Sequence, residues 1–245
     1  MSAPFPTRKQ EEWRYADLEA LKPVWDQLAD VATLVVAAGE TLENVWLPSA
    51  ERVQVRRVQI ALGEGARATI FALNNAAHYG RIELGVTLAS DAEFELNAAN
   101  IGAGSSNLEI VTTVRHIGER GRSRQTVRSV LGGKAVGTYL GKVEVARGAQ
   151  KTDAEQSVKA MLLDRGAMAN CKPELEIFAD DVQCAHGATV GELDANMLFY
   201  AASRGLDPAT ARALLLEGFV MGLWDDAPER DQLCEISRAA LRAIA

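Results

Sequence analysis

Residues 173–205, PELEIFADDVQCAHGATVGELDANMLFYAASRG, decide how the chain is read, because within one run they pass from strand to helix and gather soft metal ligands, carboxylates and an aromatic pair. Leu175, Ile177 and Val182 mark short half-buried strands, and Asp180-Asp181 supplies the turn between them, a geometry that Asp accepts and β-branched residues resist. Cys184 and His186 follow two residues apart. In an extended segment from Val182 to Ala188, residues i and i+2 share a face, so thiol and imidazole point the same way, roughly 7 Å apart along the strand. Leu193 closes the strands. Asp194 is placed to N-cap a helix carrying Met197, Leu198 and Tyr200, which ends at Gly205 as its C′ residue.

Upstream, between Val53 and Glu176, the hydrophobic period is two rather than 3.6, as in VQVRRVQIAL, ATIFAL, RIELGVTL, EFELNAA and NLEIVTTV. These are strands. They recur about every dozen residues, punctuated by Gly63-Glu64-Gly65, Asn74-Asn75 and Gly102-Ala103-Gly104, a pattern that suits either a sandwich or a solenoid of stacked short strands. Strand-like apolar runs begin at Thr33, with LVVAAG and NVWLP. Before them, Pro6 to Leu28 reads as a charged helical lead-in: Thr7 caps, Glu11 and Glu12 suit the first turns, Trp13, Leu18 and Leu21 form an apolar stripe, and Pro23 breaks the helix or starts a new turn.

Downstream of Gly205 the pattern is helical. Asp207-Pro208 reads as an N-cap followed by proline at N1, and Ala211, Leu214, Leu215, Phe219 and Val220 form a stripe. A second helix beginning near Pro228 carries Leu233, Ile236, Ala240, Leu241 and Ile244. Two amphipathic helices after a β-solenoid either cap its hydrophobic end or offer a partner surface.

Composition narrows the function classes. A chain of 245 residues, 48% hydrophobic, buries a sizeable core and suggests one main domain with extensions. A formal net charge of −7 argues against a general nucleic-acid or anionic-membrane binder. The locally basic run Arg115 to Lys134 has no aromatic residues between its arginines to stack bases, so it reads as a solvated loop and strand face. MSAPFPTRKQEEWR has no apolar signal core, and no uncharged apolar run reaches about 18 residues, which leads us to expect a cytoplasmic protein. Cys171, Cys184 and Cys234 are an odd number without close pairing, as for reduced thiols. His116 and His78 read as hydrogen-bonded structure and a turn residue. Gly132-Gly133-Lys134 lacks the rest of a Walker A loop, Gly102-Ala103-Gly104 lacks the third glycine of a dinucleotide fingerprint, and no cysteine spacing suits a cluster held by four local thiolates.

DDVQCAHGATVGELD followed by LFYAASRGL closely resembles the SufD family, FeS-assembly proteins that pair with SufB and the ATPase SufC. PTRKQEEWRYADL resembles the N-terminal signature of that family, and AQKTDAEQ (149–156) resembles the segment that precedes its final strands. The resemblance implies a mainly β fold with helical ends: a right-handed parallel β-helix over residues 33–193, a short N-terminal helical segment over 1–32 and a C-terminal helical domain over 194–245. It implies a non-catalytic scaffold subunit of the SUF complex that binds no nucleotide itself. On their own, Cys184 and His186 are too few for a stable metal centre. The resemblance places His186 at the SufB interface in cluster assembly with Cys184 beside it, so the two form a partial site for a transient iron–sulfur cluster, completed by the partner chain. It also implies that the C-terminal helices, with Leu214, Leu215, Phe219 and Val220, bind the SufC-like ATPase. A free edge of the late strands would also let the chain, when alone, pair with a second copy as a homodimer. SufB proteins carry an acidic residue after the corresponding histidine and an upstream strand cysteine, whereas this chain has Gly187 and QSVKAMLLD. The chain therefore resembles the D-type subunit, shortened mainly before the β region. No family motif matches Cys171 or Cys234.

Two other functions compete. A polysaccharide-lyase-like enzyme would use the carboxylates Glu174, Glu176, Asp180 and Asp181, but no secretion signal is seen, and 6% aromatic residues give little to line a sugar groove. A purely structural scaffold would bury Cys184 and His186 away from any interface.

Overall fold

Each strand of the chain is followed by a parallel partner not next in sequence but next but one. The computed structural model describes residues 4–28 and 31–244, and the strands among them, numbered in chain order, divide between two six-stranded sheets. One sheet runs β1 (Ala32–Val36), β3 (Val53–Leu62), β5 (Tyr79–Leu88), β7 (Asn107–His116), β9 (Val136–Val145) and β11 (Met168–Ile177). The other runs β2 (Thr41–Trp46), β4 (Arg67–Asn74), β6 (Glu93–Gly102), β8 (Arg122–Leu131), β10 (Asp153–Leu162) and β12 (Gln183–Gly191). One strand from each sheet makes one coil, and the coils stack into a parallel β-solenoid of about six turns, the architecture expected. The expected terminal segments also take in residues 1–3, 29–30 and 245, which lie outside the described residues.

Strict register explains why so short a repeat folds. Ile60, Val86, Val114, Val143 and Leu175 lie in one column of the first sheet, and Ala72, Ala98, Val127, Val158 and Ala188 in one column of the second. Both columns point into the lumen, where β-branched and small residues stack on their counterparts from coil to coil. The corner from first to second sheet is also a column. Gly39, Gly65, Asp91, Arg120 and Lys151 all adopt positive φ, 58° to 72°, and each donates its backbone N–H to a carbonyl of the following coil. Glycine takes this conformation freely; at the three later corners the side chain recoups the cost through ion pairs, Arg120 with Asp91 at 2.7 Å and Lys151 with Asp181.

The flanks carry the helical segments. The lead-in is not one amphipathic helix: it consists of a 3₁₀ turn (Glu11–Trp13), one turn of α-helix, α1 (Leu18–Leu21), and 3₁₀ turns over Lys22–Leu28. Asp17 caps α1 by accepting from Ala20 N, which sets a new start within the segment, and Pro23 lies just beyond it. Trp13, Leu21 and Trp25 are buried against Tyr79 and the outer face of the first sheet. There Arg81, wholly buried, lies 3.7 Å from the centre of the Trp13 ring and pairs with Glu109 at 3.1 Å and Glu83 at 3.0 Å.

At the other end, α2 (Ala195–Ser203) is capped by Asp194 and closed by Gly205 at φ +89°, while Asp207 caps α3 (Pro208–Val220) through Ala209 N and Thr210 N. A 3₁₀ turn (Met221–Trp224) leads to α4 (Arg230–Arg242). Leu216, Val220, Trp224, Leu233 and Leu241 pack on Phe71, Leu73, Ala99, Ile101 and Val130 of the second sheet. Those strand residues alternate with the lumen residues, so the helices cover the side of the solenoid and not its end. Of the two alternatives, the structure does not bear out a cap on the end of the stack: the helices leave the last coil uncovered.

Candidate functional site

The last coil is where the chain stops satisfying itself. β11 and β12 are the edge strands at this end of the two sheets, as β1 and β2 are at the other, and the residues that continue the lumen columns there have no next coil above them. Val158 is 1% exposed, whereas Val190 further along β12 is 50% exposed, and Met168, Ile177 and Phe178 are exposed around the same rim. An edge with unpaired N–H and C=O groups and an apolar rim is a template for another strand.

Cys184 and His186 stand on β12 in register with Ala154 and Gln156 of β10, both buried lumen residues. Thiol and imidazole therefore share the inward face of the open coil, as the two-residue spacing predicts. Cys184 is half-buried against the core, and His186 is exposed. Burial pushes the Cys184 thiol up, against a smaller opposing effect of a hydrogen bond with the Ala154 backbone. Cys171 also faces this coil from β11, in register with the buried Tyr139, and burial raises its thiol too. Coordination to a metal would displace those protons. Among the described residues, no group of three or more His, Cys, Asp or Glu is arranged to hold a metal ion. Cys184 and His186, two inward-facing donors on the uncovered strand β12, fit a site that is shared with a second chain rather than closed within one.

The four α3 residues expected to contact the ATPase separate. Val220 is buried in the flank core, Phe219 is half-buried with the Arg128 guanidinium 5.9 Å from its ring centre, and Leu214 and Leu215 face α2. There, with Met197, Tyr200 and Leu206, they line an apolar groove of about 410 Å³. Met197, Phe199, Tyr200 and Leu214 are all more than half exposed, and α2 buries no residue.

Other candidates are accounted for by structure. His116 is buried with Nε2 2.9 Å from Ser123 Oγ, and His78 lies in a bend with Nε2 3.8 Å from Asp17. In the basic run, Arg115 pairs with Glu144, Arg120 with Asp91 and Arg124 with Asp153, so these three arginines neutralise carboxylates of neighbouring coils. Three carboxylates of the lyase alternative are likewise paired, Glu174 with Lys172, Glu176 with Lys142 and Asp181 with Lys151. Cys234 is buried in the flank core. What the sequence reasoning missed is a set of buried polar side chains in the lumen, Thr112, Gln125, Tyr139 and Gln156. The signal was present in AEQSVKA (154–160), where a glutamine falls on the apolar phase of the alternation.

Comparison with known proteins places the chain in a family. Residues 27–219 match the family model described as SUF system FeS cluster assembly, SufBD core domain. An iron–sulfur cluster assembly SufBD family protein of Synechocystis is 33% identical over 181 residues, 74% of this chain and 40% of that protein. Protein ABCI7 of Arabidopsis thaliana, a chloroplastic protein, is 35% identical over 147 residues, 59% of this chain and 30% of its own. The iron–sulfur cluster assembly protein SufD of Escherichia coli is 38% identical over 101 residues, 41% of this chain and 24% of its own. The matched stretches thus cover between 24% and 40% of these relatives' own lengths. Taken with the parallel solenoid that the matched region forms, the match establishes that the chain belongs to the SufBD family of SUF-system iron–sulfur cluster assembly proteins and is of the SufD type.

Proposed function

We propose that this chain is a non-catalytic scaffold subunit that pairs with a SufB-like chain through its open coil and contributes Cys184 and His186 to a transient iron–sulfur cluster assembled between the two. The observation that carries this reading is the cofacial pair of soft donors on an uncovered edge strand. An edge-to-edge contact would extend both sheets, pair the free backbone groups of β11 and β12, and bury Val190, Met168 and Phe178. It would also bring a second chain's donors to the open face of His186. The cluster is the product handled here, and the chain's own part is to present two ligands on a rigid strand and shield them with the apolar rim. In the absence of a SufB-like chain, the same edge serves a homodimer.

The α2–α3 groove is the docking site for a SufC-like ATPase, with Leu214 and Leu215 as contacts. ATP is bound and hydrolysed by that partner. The division of labour follows residues 1–32 as an N-terminal brace, 33–193 as the scaffold and 194–245 as the ATPase-binding part, working in the cytoplasm. Among the described residues, no helix is long and apolar enough to cross a membrane.

The test is to co-express the chain with its cognate SufB-like and ATPase chains, measure the size of the assembly, and count iron and sulfide after reconstitution. His186→Ala removes a ligand but little core volume, since the side chain is exposed. We expect the complex to form and its cluster content to collapse. Normal cluster content in that variant, or no complex with the wild-type chain, refutes the proposal.

A further inference from the structure

Along the middle of the lumen runs a chain of buried polar side chains, coil after coil, toward the open end. Thr112 Oγ1 on β7 donates to Gln125 Oε1 on β8 at 2.7 Å, and the Tyr139 hydroxyl on β9 donates to the same oxygen at 3.2 Å. Gln156 Nε2 on β10 donates to the Tyr139 oxygen at 3.0 Å. None of the four is more than 2% exposed. Gly141 makes room for the last link: a Cβ there would lie 2.1 Å from the Tyr139 oxygen and 2.5 Å from Gln156 Nε2.

The chain is directional, and it ends short. Because the Tyr139 proton is used on Gln125, its oxygen accepts, so Gln156 must present its NH₂ to it and turn its carbonyl away. That carbonyl oxygen, Gln156 Oε1, is buried and has no partner. Buried carbonyls without a donor are uncommon. The next residue in the same column, after Gln125 and Gln156, is His186. Neighbouring strands of a sheet lie about 4.8 Å apart, and side chains of one column point the same way. Inward along the column, Gln125 Nε2 is likewise buried without a partner; outward, the next side chain able to donate is His186, through a ring N–H on a side chain with two free torsions.

We propose that Gln156 is a positioning residue: its Oε1 accepts the inner ring N–H of His186, Tyr139 locks the amide that does so, and the other ring nitrogen is left as a lone pair facing the open coil. This rests on the reading of His186 as a cluster ligand. Imidazoles that ligate metals almost always donate their second ring N–H to an acceptor, which fixes the tautomer and the ring orientation. Burial pushes the Tyr139 phenol up to about 12, so the lock stays protonated at neutral pH.

The experiment is ring-nitrogen NMR of the full chain labelled with ¹⁵N-histidine, whose three histidines are His78, His116 and His186. In the wild type, we expect a His186 ring N–H resonance slowed in exchange and a single dominant tautomer. Gln156→Leu should abolish that resonance and mix the tautomers. Gln156→Glu, which leaves an acceptor oxygen in place, should keep it. If Gln156→Leu does not fold, Tyr139→Phe removes the lock without the amide and should also weaken the resonance. The same variants are then reconstituted with ferrous iron and sulfide in complex with the cognate SufB-like chain, where Gln156→Leu should slow cluster formation about 10-fold. Unchanged His186 ring signals in Gln156→Leu and Tyr139→Phe overturn the positioning role, even if His186→Ala still loses the cluster. Normal iron content in His186→Ala with the ring signals responding as expected overturns the cluster reading and leaves the hydrogen bond standing.

Discussion

His116 shows how an imidazole of the same solenoid behaves when it has no open coil above it. Its side chain points into the lumen near the corner and shares a hydrogen bond with Ser123. Burial, only partly offset by the carboxylate of Asp153, lowers its pKa from 6.5 to about 4. The unfolded chain therefore binds a proton between pH 6.5 and 4 that the folded chain does not, so stability is fully present above 6.5 and is lost as pH falls through this window. The loss amounts to about 3 kcal/mol at its limit, since each tenfold change in proton affinity is worth about 1.4 kcal/mol. Urea midpoints measured from about pH 7 to about 4.5 should fall in the wild type and flatten in His116→Asn. An unchanged slope in that variant would assign the pH dependence elsewhere. His186, on the exposed edge, is placed the opposite way: it is open to solvent, and in the proposed arrangement Gln156 in the lumen beneath it supplies an acceptor instead of a closed pocket.

Among the elements, α3 separates core from contact within one helix. Leu216 and Val220 are fully buried in the flank cluster, whereas Leu214 is 59% exposed in the groove beside α2. Leu216→Ala should cost about 3 kcal/mol of stability, as buried leucines do. Leu214→Asp should change stability by about 0.5 kcal/mol or less, as exposed substitutions do, yet remove ATPase recruitment in a pull-down. Retained recruitment in a folded Leu214→Asp chain would move the docking site off this groove. Elements differ in how far they can be read from sequence. Parts of β3 to β7, such as VQIAL, RIEL and NLEIV, alternate well enough to be read as strands, and caps at Asp194 and Asp207 declare α2 and α3. β8 and β9 are obscured because their lumen-facing positions hold Ser123, Gln125, Gly137, Tyr139 and Gly141, which break the alternation. The lead-in looks like one helix because its spacing of apolar residues is helical, but tertiary packing of Trp13 and Trp25 on Arg57 and Arg81 favours short turns. For the site, period two places Cys184 and His186 on one face. Nothing local distinguishes a lumen that is polar along one column, because that depends on register between strands some 30 residues apart.

For the whole molecule, a stack of coils makes stability a matter of neighbours, and the two ends of the stack are not equivalent. Every coil from β3/β4 to β9/β10 is held between two others, and the N-terminal turns and C-terminal helices brace its sides. β11 and β12 have a neighbour on one side only, and the residues that continue the lumen columns there are half-buried or exposed. Local opening should therefore cost least in this coil, which is the coil that carries Cys184 and His186. Amide hydrogen exchange of the isolated chain at low concentration should be fastest in β12, slower in β10 and slowest in β6 and β8. If the open coil is a pairing edge, adding the cognate SufB-like chain should slow exchange across residues 168–191 by at least about 10-fold while β1 to β6 stay unchanged. The scaffold reading makes a sharper demand as well, because the same protection should appear in His186→Ala, where cluster chemistry is removed but the edge is intact. Uniform exchange along the stack, or protection that falls on the N-terminal coils when the partner is added, would show that the chain pairs through a different surface and that the open end is only where the repeat stops.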